Sequence, residues 1–253
     1  MTQPDPYRAS LALGGSDIRA MVADFERWHF ERKLIEAGTL PEWMQRDPSP
    51  AAEFGTLVHR ALLEPWHHAK DVVMPYVKSF ALKEGKAIKA EAEAKAEHQG
   101  GIVIRHEHGW ALEHIKTNFK SMAADASLGN VTPATTEVEV WGVYHGVNTK
   151  GKLDWLHHDE LMTTLIDLKT ISDWSKRNDV LYSNNYHCQL AHYGSMAPAA
   201  TAHGIVWIES VAPYRVEYQE VPPATIQLGL LARNKALDTY IDRRNGVKRG
   251  PFG

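Results

Sequence analysis

The tightest constraint on this chain comes from two short stretches, Lys152-Leu153-Asp154-Trp155 and Leu165-Ile166-Asp167-Leu168-Lys169-Thr170, which set charges inside runs that otherwise read as buried β-strand. Alternate side chains of a strand share a face, so Asp167 and Lys169 are predicted to point one way while Ile166 and Leu168 enter a core. If residues 152–156 form the neighbouring strand, roughly 5 Å across the ladder, Asp154 reaches the same spot as Asp167. Two carboxylates there suit one or two hard divalent cations, Mg²⁺ or Mn²⁺, which prefer oxygen ligands. Lys169 is placed to orient or deprotonate a water, or to stabilise charge building on a phosphate. The same spacing also occurs at solvated strand edges, as an ion pair of little energetic weight, so the triplet alone does not decide the function.

The rest of the chain narrows the choice. At 253 residues it can bury a full core, and a single domain is expected. No apolar run approaches the length of a membrane span, and residues 1–15 lack the basic start and apolar stretch of a signal peptide. A cytoplasmic protein without a membrane partner is therefore expected. The one cysteine, Cys188, excludes an intrachain disulfide and a four-cysteine zinc or iron–sulfur site. A net charge of −3 announces no global attraction to nucleic acid, so phosphate contacts would need a local basic patch or metal ions.

Residues 1–15 read as a loose arm ending at Gly14-Gly15. Ser16 then caps a helix running to about Ala37, and a second helix opens near Ala51 and stops before Pro65. Residues 82–98 read as an exposed, ion-paired helix and 107–125 as an amphipathic one. From Thr135 the period becomes that of strands: 136–141, a turn at Asn148-Thr149-Lys150-Gly151, then 153–156 and 162–170, a three-stranded meander carrying the acids. A helix over 180–197, strands at 205–209 and 214–220, and a long helix over 223–244 complete it. The order predicts an α/β fold, with a central mixed β-sheet flanked by helices over 131–245 and a mainly helical elaboration over 16–130.

Several other residues qualify as site candidates. His59 lies one turn after Gly55, which removes a side chain from its face and leaves room for a phosphate or a metal. Gln189 and Tyr193 share a helix face with Tyr186 and can meet a scissile phosphate or a base. Glu137 and Glu139 are alternative further carboxylates, with at least one expected on a solvent-facing edge. A zinc site from His187, Cys188 and His192 is disfavoured, because Cys188 lies about 100° round the helix from His187. His67-His68, His106/His108 and His157-His158 fall in segments that read as exposed.

Four motifs occur in order along the chain. They are Gly55-Thr56-Leu57-Val58-His59-Arg60-Ala61-Leu62-Leu63-Glu64-Pro65, Lys150-Gly151-Lys152-Leu153-Asp154-Trp155, Leu165-Ile166-Asp167-Leu168-Lys169-Thr170, and Gln189-Leu190-Ala191-His192-Tyr193. Together they resemble the PD-(D/E)xK nuclease superfamily, and within it the RecE group of exodeoxyribonuclease VIII-like phage and prophage enzymes. The resemblance covers roughly residues 15–245. It implies Asp154 and Asp167 as metal-binding acids, with the Leu168 carbonyl and His59 completing the metal shell, and Lys169 as catalytic lysine. Gln189 and Tyr193 match the Q-x-x-x-Y helix of the helicase-nuclease-like branch. The implied activity is Mg²⁺-dependent 5′→3′ digestion of double-stranded DNA ends, leaving 3′ single-stranded tails for a RecT-like annealing partner. Ring-shaped homo-oligomers are implied by the same analogy. Some relatives carry an iron–sulfur cluster, and the single cysteine departs from that pattern, so none is expected here.

Three competing functions remain at this level: an endonuclease or single-strand-specific nuclease on the same fold, a non-catalytic DNA-end-binding protein, and a metal-dependent hydrolase of another substrate. Lys83, Lys86, Arg243, Arg244, Lys248 and Arg249 are candidates for gripping a duplex, and ordinary surface charge explains them equally well.

Overall fold

Lys150 fixes the path of the amino terminus. Its ammonium lies 2.6 Å from the Tyr7 carbonyl and 2.9 Å from that of Ser10, and Leu13 forms a parallel bridge with Thr149. The arm predicted to be loose over 1–15 is therefore docked from Pro6 onward, because a buried ammonium takes backbone carbonyls in place of water. The structure is a computed structural model describing residues 6–41, 44 and 49–247, with residues 8 and 9 described by their backbone only.

A short helix α1 (Pro6–Ala9) leads to α2 (Gly15–Ala23) and α3 (Phe25–Glu36), where the apolar spacing predicts one continuous helix. Asp24 makes the break: it is extended, with φ −159°, and its carboxylate caps α3 through the Arg27 N–H at 3.0 Å. Helix α4 (Pro50–Leu63) is capped by Ser49 and starts on proline, then gives way at Pro65 to the single turn α5 (Pro65–His68). Next come β1 (Val72–Val73), α6 (Lys83–Gln99), β2 (Val103–Ile104) and α7 (His106–Asp125). The parallel β1–β2 pair had no sequence signal, since two residues carry no period.

The predicted meander is present as β3 (Thr136–Tyr144), β4 (Val147–His158) and β5 (Thr163–Ile171). Its first turn is at His145-Gly146 and not at 148–151. Both residues have positive φ, 45° and 79°, as a two-residue hairpin turn of type I′ requires, and this lets Asn148 to Gly151 continue the strand. The single helix predicted over 180–197 is split into α8 (Arg177–Ser183) and α9 (Tyr186–Met196), because Asn185 between them is left-handed. Strands β6 (Ala202–Glu209) and β7 (Val216–Glu220) and helix α10 (Pro223–Arg244) follow.

The five strands lie in sequence order, antiparallel except for the parallel β5–β6 pair, which the α8–α9 crossover joins. Strands β5 and β6 are the apolar centre. Ile166, Leu168, Val206 and Ile208 face α4 and α7 on one side, and Leu165, Ile205 and Trp207 meet Leu181 and Leu190 from α8 and α9 on the other. All seven sheet residues are fully buried, each worth about 1.5–3 kcal/mol against exposure. That two-sided burial makes the D-x-K strand a rigid mount. A third cluster, with Leu13, Ile18, Met21, Trp28 and Leu237, locks α2, α3 and α10 against the arm.

Candidate active site

Strands β4 and β5 stop pairing where the acids lie. Their ladder runs from His158–Thr163 to Trp155–Ile166, and beyond it the Leu168 N–H donates to Asp154 Oδ2 at 2.7 Å. Leu153 and Trp155, two residues apart, enter opposite cores, so the alternation of β4 is broken at Asp154. The break turns the Asp154 carboxylate into the gap between the strands. Asp167 borders the same gap at 1% exposure, with the Lys169 ammonium 2.6 Å from its Oδ2. That oxygen is met by the ammonium, while Asp167 Oδ1 has no hydrogen-bond partner among the described residues. A buried carboxylate left with spare lone pairs has the coordination capacity of a metal ligand.

His59 enters from α4, its Nε2 3.1 Å from the Leu168 carbonyl oxygen and its Nδ1 3.7 Å from Asp154 Oδ2. Gly55 plays a different part from the one its sequence position suggests. A Cβ there would lie 3.2 Å from Thr170 Oγ1, so the glycine lets α4 close on β5. Of the two glutamates on β3, Glu137 joins the cluster: one ligand atom each from His59, Glu137 and Asp154 lies within 4.8 Å of the others. Glu137 also pairs with Lys152 at 2.8 Å, whereas Glu139 is exposed. Strand alternation puts both on one face; the left-handed backbone of Glu137, φ 52°, separates them and has no sequence signal.

Helix α9 covers the other side of the gap. Gln189 Nε2 donates to the Tyr193 hydroxyl at 2.8 Å, while Gln189 Oε1 is buried with no hydrogen-bond partner among the described residues. Gly15 at the start of α2 presses on Tyr193, its absent Cβ position 2.8 Å from the hydroxyl. The Tyr186 ring meets two cations, Lys169 Nζ at 4.9 Å and the Arg19 guanidinium at 4.4 Å from its centroid. Tyr186 is expected on this face from its helical spacing, whereas nothing in the sequence signals Arg19, which comes from a distant helix.

The charges interact strongly. Burial pushes the Asp154 carboxyl up to about 6, with His59 opposing the rise, Asp167 adding to it and Lys169 and the Leu168 N–H opposing it. Burial pulls Lys169 down, but Asp167 and Asp154 outweigh it and hold the ammonium above its ordinary value. Tyr193 is raised by burial and then by the same two acids.

The remaining candidates lie elsewhere. His187 Nδ1 faces the Leu181 carbonyl and its Nε2 lies 3.5 Å from Cys188 Sγ, but His192 is engaged with Lys150 and Arg233, and the three do not gather into a metal cluster among the described residues. His157 corrects the expectation of exposure: it is buried and accepts the Gly129 N–H. Lys83, Lys86 and Arg244 are exposed, Arg243 is bonded to Glu26, and Lys248 and Arg249 lie outside the described residues. A cavity of about 620 Å³ beside α7 and β7, with Asn118, Trp174, Arg215 and Tyr218 in its walls, is lined by neither Asp154 nor Asp167 nor Glu137.

Residues 35–208 match the family model of a PDDEXK-like domain of unknown function (DUF3799). Among solved structures, a candidate exonuclease from Eubacterium rectale is similar in fold, with a TM-score of 0.62 at 13% identity over 98% of this chain and 89% of that one. An alkaline exonuclease from Laribacter hongkongensis aligns over 72% of this chain and 98% of its own, at 15% identity and a TM-score of 0.33. No curated protein matches the sequence.

Proposed function

The chain belongs to the family of PDDEXK-like domains of unknown function, and from that premise we propose that it is a divalent-metal-dependent nuclease. The observation that carries the proposal is the buried Asp167 carboxylate, whose Oδ1 has no hydrogen-bond partner among the described residues, beside Asp154, Lys169 and His59 in the gap between β4 and β5. The donor chemistry suits a hard cation: ligand atoms of Asp154, His59 and Glu137 lie within 4.8 Å of one another, and the Asp167 carboxylate and the Leu168 carbonyl oxygen are the further oxygen donors of the proposed shell. Mg²⁺, or Mn²⁺ in its place, would supply Lewis-acid activation of a water and of the phosphoryl oxygen.

The chain's own residues supply the rest. Lys169 is held as an ammonium, so in this state it donates N–H bonds and positive charge to an attacking water or a phosphoryl oxygen and does not accept a proton. The Leu168 N–H fixes the Asp154 carboxylate, and His59 reads the neighbouring Leu168 carbonyl, so both depend on the register of one strand. Gln189 orients the Tyr193 hydroxyl over the acids from α9. Among the described residues no helix is long and apolar enough to cross a membrane.

The finer reading rests on the motif resemblance to the RecE group: a cytoplasmic Mg²⁺-dependent 5′→3′ exodeoxyribonuclease acting on double-stranded ends, as a ring-shaped homo-oligomer, and leaving 3′ tails for a RecT-like annealing protein. Digestion of a linear duplex labelled at either end, with Mg²⁺, Mn²⁺ or EDTA, beside a closed circle and the Asp167→Ala variant, tests it. Metal-dependent loss of 5′ label from the linear duplex alone, absent in the variant, is the expected result. Cleavage of the circle would make the enzyme an endonuclease, and no cleavage with either metal would overturn the nuclease reading.

A further inference from the structure

The acid cluster has an aromatic neighbour that the proposed chemistry does not use. Trp141 on β3 is 51% exposed, and its ring meets that of Tyr7 edge-on, with centroids 5.6 Å apart at 70°. Lys150, the register partner of Trp141 on β4, holds Tyr7 in place: its ammonium binds the Tyr7 carbonyl and lies 4.7 Å from the ring centroid. The indole is thus buttressed and does not swing freely. Rigid aromatic surface costs little ordering entropy when it binds a flat partner.

Its position connects it to the site. Opposed residues of an antiparallel pair share a face, and the adjacent pair on this face is Glu139 and Lys152. Lys152 pairs with Glu137, which belongs to the His59–Asp154 cluster. Trp141 is four residues from Glu137, about 13 Å of strand. The docked arm and the β3–β4 hairpin therefore present Tyr7 and Trp141 on the strand face along which Lys152 leads to the acid cluster.

We propose that Trp141, buttressed by Tyr7, is a stacking platform for a nucleobase of the DNA strand whose phosphate lies at the acid cluster. The inference rests on the nuclease reading for its ligand. A DNA base suits the surface because the indole is presented as a single fixed ring, with Lys152, whose side chain is 40% exposed, beside it to meet the backbone phosphate. Every base has a π-face, so the platform contributes affinity and register without reading sequence. An abasic nucleotide opposite it would remove the partner and leave the phosphates in place.

The test is binding of end-labelled single-stranded oligonucleotides to the full chain carrying Lys169→Ala, followed by fluorescence anisotropy in Mg²⁺. A single abasic position is walked along each oligonucleotide. Affinity should fall about tenfold at one register and not at others, the magnitude typical of losing one aromatic–base stack. Adding Trp141→Ala should lower affinity for the intact strand by a similar factor and abolish the abasic effect at that register, and Trp141→Phe should restore both. Equal abasic sensitivity with and without Trp141 overturns the proposal, as does a change in assembly size on Trp141→Ala, which would make the patch a contact between copies. Absence of cleavage by the unsubstituted chain, with the Trp141-dependent stack retained, would instead refute the nuclease reading and leave a DNA-binding platform.

Discussion

Acid should loosen the mount of helix α9 through His192. The imidazole is fully buried; Arg233 Nε, which can only donate, lies 3.3 Å from Nδ1, so Nε2 carries the proton and donates to the Lys150 carbonyl at 3.0 Å. Burial, with the Arg233 charge adding to it, pushes the group down from 6.5 to about 4. A folded-state value below the unfolded one means that the unfolded chain takes up the proton first, so this contribution to stability is complete above the unfolded value and is lost as pH falls towards the folded one. Linkage with these values gives a loss of about 2 kcal/mol by pH 5 and about 3 kcal/mol by pH 4. Other groups titrate in the same range, so the assay is a comparison: urea unfolding of the metal-free protein at pH 7.5 and pH 5, for the wild type and His192→Gln. Glutamine can accept from Arg233 and does not ionise, so the variant, although less stable at pH 7.5, should lose about 2 kcal/mol less between the two pH values. Parallel losses would refute the assignment of His192 as the buried neutral group.

Lys169→Ala should retain DNA binding and lose cleavage, whereas Asp167→Ala should also lose the rise in melting temperature that Mg²⁺ gives the wild type; the two separate by calorimetry with and without EDTA. Gly15→Ala puts a Cβ 2.8 Å from the Tyr193 hydroxyl and 2.9 Å from two ring carbons, so it should cost about 1–3 kcal/mol in the urea midpoint, partly recovered by Tyr193→Phe. Asp71→Ala strips Arg60 of two bonds at 2.8 Å and leaves the Ile102 N–H without its acceptor. Arg60 keeps some access to solvent, so the cost should be about 2–3 kcal/mol, seen in hydrogen exchange as faster opening of residues 72–104 with α10 unchanged.

Which of these features could be read from the sequence follows from the range of the interactions that make them. The β5 strand was legible because Ile166 and Leu168 alternate with Asp167 and Lys169, and the core facing α4 enforces that alternation. Helix α10 was legible over its full length, and α6 was stopped by Gly100, whose left-handed backbone only local chemistry decides. The breaks were not legible. Asp24 reads as one more polar residue in a helical run, and Asn185 leaves a helical period intact on both sides; each break is settled by how α2, α8 and α9 pack together. The docking of the arm was hidden for the same reason, since what holds it is Lys150, 143 and 140 residues along the chain from its two carbonyl partners.

The acid cluster combines both kinds of information. Asp167 and Lys169 are placed by strand period, so their pairing follows from local sequence. What makes the gap a site is the failure of that period at two residues. Had β4 kept its alternation through Asp154, Leu153 and Trp155 would share a core, and the Leu168 N–H would have no carboxylate to meet. Had Glu137 kept an extended backbone, it would face the same way as the exposed Glu139. A left-handed non-glycine residue costs on the order of 1–2 kcal/mol and persists only where its surroundings hold it. At Glu137 the holding contact is the Lys152 ammonium. Lys152→Ala should therefore release Glu137 from the cluster and weaken Mg²⁺ binding although Lys152 is no ligand, while Lys152→Arg, which can still pair with the carboxylate, should keep most of it. Unchanged Mg²⁺ affinity in Lys152→Ala, measured by titration calorimetry, would show that Glu137 takes no part in holding the ion.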